Sequence, residues 1–221
     1  MLQDIEAIIF DMDGTLIDSM WVWTEIDLEF LGARNLELPD TYQKEIEGMS
    51  FTETAVYTKE LFGLTESVEE LKEIWNDMAM EKYCTVVQKK PGVSSFLSYC
   101  RAHGIKLGIA TSNSMKLAKA VTERLGIAEY IRMIVTSCEV EKGKPAPDVY
   151  LEAARRLDVA PEHCLVFEDI PMGILAGKNA GMKVCAVDDD FSRPQEAKKR
   201  ELADYYIFSF DEIKKETYEV L

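Results

Sequence analysis

From residue 92 onward, short apolar runs alternate with segments whose apolar residues recur at helical spacing. The runs 106–110, 133–136, 165–167, 183–187 and 205–208 predict strands. Between them the spacing predicts a helix over 92–103 and another carrying Leu117, Val121 and Leu125. A third places Tyr150, Ala153, Ala154 and Leu157 on one face, with Asp148 positioned to cap it. A glycine-edged helix follows over 171–180. An earlier run, Ala7-Ile8-Ile9-Phe10, predicts one more buried strand. Strands separated by helix-length segments predict an α/β fold, with a mostly parallel sheet and helices on both faces.

Residues 18–88 break this rhythm. Their segments read as helices only, with Val22, Ile26 and Phe30 on one face and Leu71, Ile74, Trp75 and Met78 on another. The pattern predicts a small helical domain over 18–88, inserted into an α/β core built from residues 1–17 and 89–221. Because the first strand belongs to the sheet, both linkers pass close to its end. An insert placed there can close over a site and exclude water.

The first strand runs into Asp11-Met12-Asp13-Gly14-Thr15. In an extended chain residues i and i+2 point the same way, so both carboxylates leave the strand together. They do so at the edge where open α/β sheets bind ligands, and Gly14 then allows a sharp turn. Two like charges this close need a cation or a bound proton. A calcium loop is excluded, because it needs glycine sixth and an acid twelfth, whereas here Gly14 comes fourth and Val22 twelfth.

Three other strand ends carry polar groups: Thr111-Ser112-Asn113, Lys144 in a proline-stiffened loop, and Glu168-Asp169. A hydroxyl and free N–H groups at a helix start suit a phosphate, and they equally suit ordinary helix capping. Lys144 alone reads as a solvated lysine, and Glu168-Asp169 alone as an acidic turn. Four successive strand ends bearing such groups point to one site.

The formal charge of −15 argues against a basic surface for nucleic acid or an anionic membrane. Hydrophobic residues make up 47% of the chain, enough for a substantial core, yet no apolar run approaches about 18 residues. The start of the chain lacks a basic stretch followed by a hydrophobic one, so a cytoplasmic location is expected. Cys84, Cys100, Cys138, Cys164 and Cys185 are scattered without a C-x-x-C spacing and read as buried free thiols. His103 and His163 stand apart from other reactive groups, which leaves acid–base work to carboxylates. Gly173 to Lys178 is one residue short of a phosphate-binding P-loop, and no G-x-G-x-x-G occurs.

In order, Asp11-x-Asp13-Gly14-Thr15, Thr111, Lys144 and Glu168-Asp169 resemble the four motifs of the haloacid dehalogenase-like superfamily. Asp18-Ser19, the Gly-Lys-Pro-Ala-Pro-Asp loop and the helical insert resemble its β-phosphoglucomutase-like branch. The resemblance implies a Rossmann-like core with a helical cap, and a phosphatase acting on small phosphorylated metabolites such as sugar phosphates. It implies Asp11 as nucleophile forming an aspartyl-phosphate, and Asp13 as the acid that protonates the leaving oxygen and then activates water. Mg²⁺ would be held by Asp11, Asp169 and the Asp13 carbonyl, with Glu168 binding directly or through water. Thr111, Ser112 and Asn113 would hold the phosphoryl group, and Lys144 would bridge nucleophile and phosphate. Hard oxygen donors beside a phosphate suit Mg²⁺ rather than zinc.

A β-phosphoglucomutase-type isomerase is the competing activity, and a catalytically silent binding protein is a third reading. By ungapped count, Trp23 stands where the mutases resembled here have a cap histidine. Phe51, in Gly48-Met49-Ser50-Phe51, stands where they have the arginine for a second phosphate. Trp23 and Phe51 are therefore expected to contact substrate as part of an apolar pocket, which favours hydrolysis.

Overall fold

The computed structural model describes residues 1–221. In chain order it runs β1 (Ala7–Phe10), β2 (Ile17–Asp18), α1 (Met20–Gly32), α2 (Tyr42–Glu45), α3 (Phe51–Phe62), α4 (Val68–Thr85) and β3 (Gln88–Lys89). It continues through α5 (Val93–Ala102), β4 (Lys106–Thr111), α6 (Met115–Arg124), β5 (Met133–Thr136), α7 (Asp148–Leu157), β6 (Cys164–Glu168) and α8 (Pro171–Asn179). It ends with β7 (Lys183–Val187), α9 (Glu196–Leu202), β8 (Tyr205–Ile207), α10 (Asp211–Lys215) and β9 (Glu219–Val220).

Seven strands form one sheet in the order β5-β4-β1-β6-β7-β8-β9, parallel except for the last pair. The predicted strands are present with small changes at their ends. The closing antiparallel strand β9 was not foreseen, because two exposed residues give no apolar run.

The continuous apolar runs follow from burial on both faces of the sheet. In β1, Ile8 and Phe10 enter the core under α5, α6 and α10, while Ala7 and Ile9 enter the core under α7 and α8. Leu165 and Phe167 in β6 alternate with Cys164 and Val166 in the same way. Each fully buried Ile or Phe contributes about 2 kcal/mol of hydrophobic stabilisation. Gly108 in β4 leaves room for its neighbours, since a Cβ there would lie 3.2 Å from the Leu157 side chain.

In the chain, helices α1 to α4 come between β1 and the remaining strands of the seven-stranded sheet. Helix α1 buries Val22, Ile26 and Phe30, and Phe30 meets Trp75 of α4 edge to face at 5.6 Å. Ser50 and Glu53 cap α3 reciprocally, as Ser67 and Glu70 cap α4; each cap is worth about 1 kcal/mol. The two linkers pair with each other as β2 and β3, with Ile17 opposite Lys89 and Asp18 opposite Gln88.

Two local expectations are corrected. Asp148 does not cap α7: Pro147 occupies the cap position, Asp148 is the first helical residue, and its carboxylate accepts from the Lys142 N–H at 3.3 Å. Of the five thiols, Cys100, Cys164 and Cys185 are buried, whereas Cys84 and Cys138 are exposed.

Candidate active site

Asp11 follows the last residue of β1, and its N–H donates to the Phe167 carbonyl at 2.9 Å, continuing the ladder toward β6. Met12 turns into the core, and Asp11 and Asp13 both line a cavity of about 160 Å³. Gly14 then reverses the chain at φ 78°. A Cβ there would fall on the Asp169 carboxylate, so a residue without one is needed for this close approach.

Lys144 reaches the same place from the loop after β5. It is 5% exposed, with Nζ 2.6 Å from Asp11 Oδ1 and 2.5 Å from Glu168 Oε1. The Tyr150 hydroxyl also donates to Glu168 Oε1, at 2.8 Å. The N–H groups of Asp169 and Ile170 donate to Glu168 Oε2 at 3.0 and 3.4 Å. Protein donors thus engage both oxygens of Glu168, and the carboxylate fixes the lysine. Asp169 differs: Thr15 donates to Oδ1 at 3.0 Å, while Oδ2 is buried without a partner.

One carboxylate oxygen each from Asp11, Glu168 and Asp169 lie within 4.8 Å of one another. Three buried carboxylates beside one ammonium leave uncompensated negative charge, which is costly in a buried setting. Burial raises the Asp11 carboxyl, opposed by Lys144 and reinforced by Glu168. It raises Asp169 as well, helped by Glu168 and Asp11. Burial also works against the charge on Lys144, but Asp11 and Glu168 outweigh it and keep the ammonium protonated. An all-oxygen donor set with one orphaned oxygen and excess negative charge fits a hard divalent cation.

Asp13 is held from three sides. Oδ1 accepts from Ser19 Oγ at 2.6 Å and from the Tyr83 hydroxyl, and Oδ2 accepts from Asn113 Nδ2 at 2.9 Å. The same Tyr83 oxygen receives Trp23 Nε1–H at 2.9 Å and Asn113 Nδ2–H at 3.1 Å. Burial, with the neighbouring Asp13 charge, pushes the Tyr83 phenol far up, so it remains a donor.

Thr111, Ser112 and Asn113 line the cavity with Asp11, Asp13 and Lys144. Their roles in the free protein differ from one another. Asn113, expected at the phosphate, commits its amide to Asp13 and Tyr83. The Ser112 carbonyl accepts from the Phe51 N–H at 3.0 Å, which docks the start of α3 onto the sheet edge. Trp23 and Phe51 both line the cavity and meet edge to face at 5.8 Å.

From the sequence, Thr15 and Ser19 were named only within motifs and Tyr150 only on a helix face, Tyr83 was not named, and none of the four was given a role at the site. Thr15 and Ser19 lie within the first strand's own neighbourhood and could have been read as partners for its carboxylates. Tyr83 could not, because 70 residues separate it from Asp13 and its helical spacing reads as core.

Fold and site together define a protein with a mostly parallel α/β core and a buried acidic centre at the strand ends. The haloacid dehalogenase-like hydrolase family matches residues 8–187, and this chain belongs to it. The phosphorylated carbohydrates phosphatase of Thermotoga maritima is 30% identical over 179 residues, covering 81% of this chain and 83% of the relative. The (DL)-glycerol-3-phosphatase 2 of Arabidopsis thaliana is 32% identical over 192 residues, covering 84% of this chain and 80% of the relative. The crystal structure of CbbY from Rhodobacter sphaeroides in complex with phosphate superposes with a TM-score of 0.83 at 23% identity. That superposition covers 95% of this chain and 96% of the other, and it supports the fold. No helix is long and apolar enough to cross a membrane.

Proposed function

We propose that the chain is a phosphatase that hydrolyses small phosphorylated metabolites, sugar phosphates among them, through an aspartyl-phosphate on Asp11. One observation carries this reading: the Asp11 carboxylate, held by Lys144 at 2.6 Å, opens into the cavity that also holds Asp13 and Thr111. Residues 18–88 act as the cap domain, and residues 1–17 with 89–221 as the core.

An oxygen of Asp11 attacks phosphorus and the ester P–O bond breaks, while Asp13 gives its proton to the leaving oxygen. Asp13 then takes a proton from water, the water oxygen attacks phosphorus, and inorganic phosphate leaves Asp11 as a carboxylate. Thr111 and the Ser112 N–H hold the phosphoryl oxygens, and Lys144 offsets their charge. Asp11, Asp169 and the Asp13 carbonyl would hold Mg²⁺, with Glu168 acting through Lys144 or a water. The ion would supply charge neutralisation for the transferring group.

Hydrolysis is favoured over isomerisation because no arginine lines the cavity to hold a second phosphate. A phosphate-release screen over metabolite phosphates, with and without Mg²⁺, tests the reading. Release that requires Mg²⁺ and disappears in Asp11→Asn supports it. Undiminished release by that variant overturns the nucleophile assignment. Isomerisation of β-glucose 1-phosphate faster than phosphate release would make the chain a mutase, and no release from any ester would leave a binding protein.

A further inference from the structure

Above the catalytic groups, the cavity wall belongs to the helical insert and is unlike the floor. Trp23, Phe51 and Trp75 form a continuous aromatic wall, with neighbouring rings 5.8 and 5.9 Å apart. Trp75 is 3% exposed, and its Nε1–H is buried without an acceptor. The ionisable groups of this wall are Asp27 and Glu47, and neither lysine nor arginine accompanies them. Asp27 Oδ2 accepts from Gln43 Nε2 at 2.5 Å, and Glu47 Oε2 accepts from Gln195 Nε2 at 2.9 Å. Both partners are neutral amides. The cavity's single cation, Lys144, is engaged at the floor by Asp11 and Glu168.

Resting on the phosphatase reading, we infer that this wall selects phosphate monoesters whose leaving alcohol is neutral or cationic and has an apolar face, and that it rejects esters bearing a carboxylate or a second phosphate. A second negative group on the leaving alcohol would face Asp27 and Glu47 with no counter-charge, at a cost set by low local dielectric. An ammonium or hydroxyl would instead find the Asp27 carboxylate. An apolar ring would find the tryptophan and phenylalanine faces.

Matched aryl esters test the inference, because size and leaving-group chemistry stay nearly constant. Phosphate release is measured with Mg²⁺ at about pH 8.5, where Asp27 is ionised, for 4-methylphenyl, 4-(aminomethyl)phenyl and 4-carboxyphenyl phosphate, for 1,4-phenylene bisphosphate, and for p-nitrophenyl phosphate as reporter. The expected result is a kcat/KM for the methyl and aminomethyl esters at least about tenfold above those for the carboxylate and the bisphosphate. Asp27→Asn, and more so Asp27→Asn with Glu47→Gln, should bring the aminomethyl-to-carboxyl ratio down toward one. Equal turnover of charged and uncharged esters by the unmodified chain, or turnover of the nitro ester alone, overturns the inference while leaving the phosphatase reading intact. No release from any ester, the reporter included, overturns the phosphatase reading and this inference with it.

Discussion

The edge of the sheet and the wall of the insert face each other across one cavity, and they treat charge in opposite ways. At the sheet edge, every carboxylate has at least one protein donor, only Asp169 Oδ2 is buried without a partner, and a buried lysine spans Asp11 and Glu168. On the insert side, the side-chain donors to Asp27 and Glu47 are neutral amides, and no lysine or arginine of the insert lines the cavity. Dense opposite charges fix atoms in place for one kind of reaction. A sparsely charged apolar wall discriminates among the groups attached to the reacting phosphate. On the proposed function, the difference gives the reaction to the sheet edge and the choice of substrate to the insert.

The comparison breaks if substitutions at the sheet edge change some substrates and spare others. Asp11→Asn should lower kcat by more than about 10³-fold on every ester alike, as measured by phosphate release. Lys144→Met leaves Asp11 and Glu168 buried without their shared cation. It should lower unfolding free energy by about 3 kcal/mol in urea titrations, together with a loss of activity that does not depend on the ester. A unit change in stability would argue that the buried pair is not what holds this edge.

Tyr83 sharpens the comparison, because it grows from the insert yet donates to Asp13 at the sheet edge. Tyr83→Phe removes that donor while keeping the ring, so it should act on the proton and leave the pocket's shape alone. The expected outcome is about a tenfold lower kcat for alkyl phosphates, whose leaving oxygen needs a proton. Little change is expected for p-nitrophenyl phosphate, with KM within about twofold in both cases. An equal fall for both esters would assign Tyr83 to folding or docking.

The smallest effect concerns Asp27. Burial, opposed by the Gln43 hydrogen bond, pushes its carboxyl up to about 7 from 3.8. A group raised on folding stabilises the protein fully below its unfolded value, and this contribution is lost as pH rises through the folded value. Asp27→Asn carries no such loss. Its melting temperature relative to the unmodified chain should therefore climb by a few degrees between about pH 5 and about pH 8. A constant difference across that range would mean that Asp27 titrates as an ordinary surface carboxylate.

The sheet was legible because burial on both faces writes short apolar runs, and β1, β4, β6 and β7 appear almost residue for residue. The linker ribbon β2–β3 was not, because two-residue strands carry no period. At the site, Asp11 and Asp13 were legible as a pair and Lys144 as a candidate. The engagement of Glu168 was not, since its four donors come from Lys144, Tyr150 and the backbone of Asp169 and Ile170. Asn113, expected at the phosphate, lines the cavity, and the tertiary contacts of its amide with Asp13 and Tyr83 were not legible.

By itself the sequence determined which groups stand at the ends of the strands, because the period of a strand and the sharp turn at Gly14 are local consequences of bonded geometry. Only the tertiary structure decided who partners whom: which carboxylate holds Lys144, which keeps an orphaned oxygen, and that Tyr83 crosses from the insert to Asp13. Those choices depend on distances between residues far apart in the chain, set by packing the insert against the sheet edge. No local pattern encodes them.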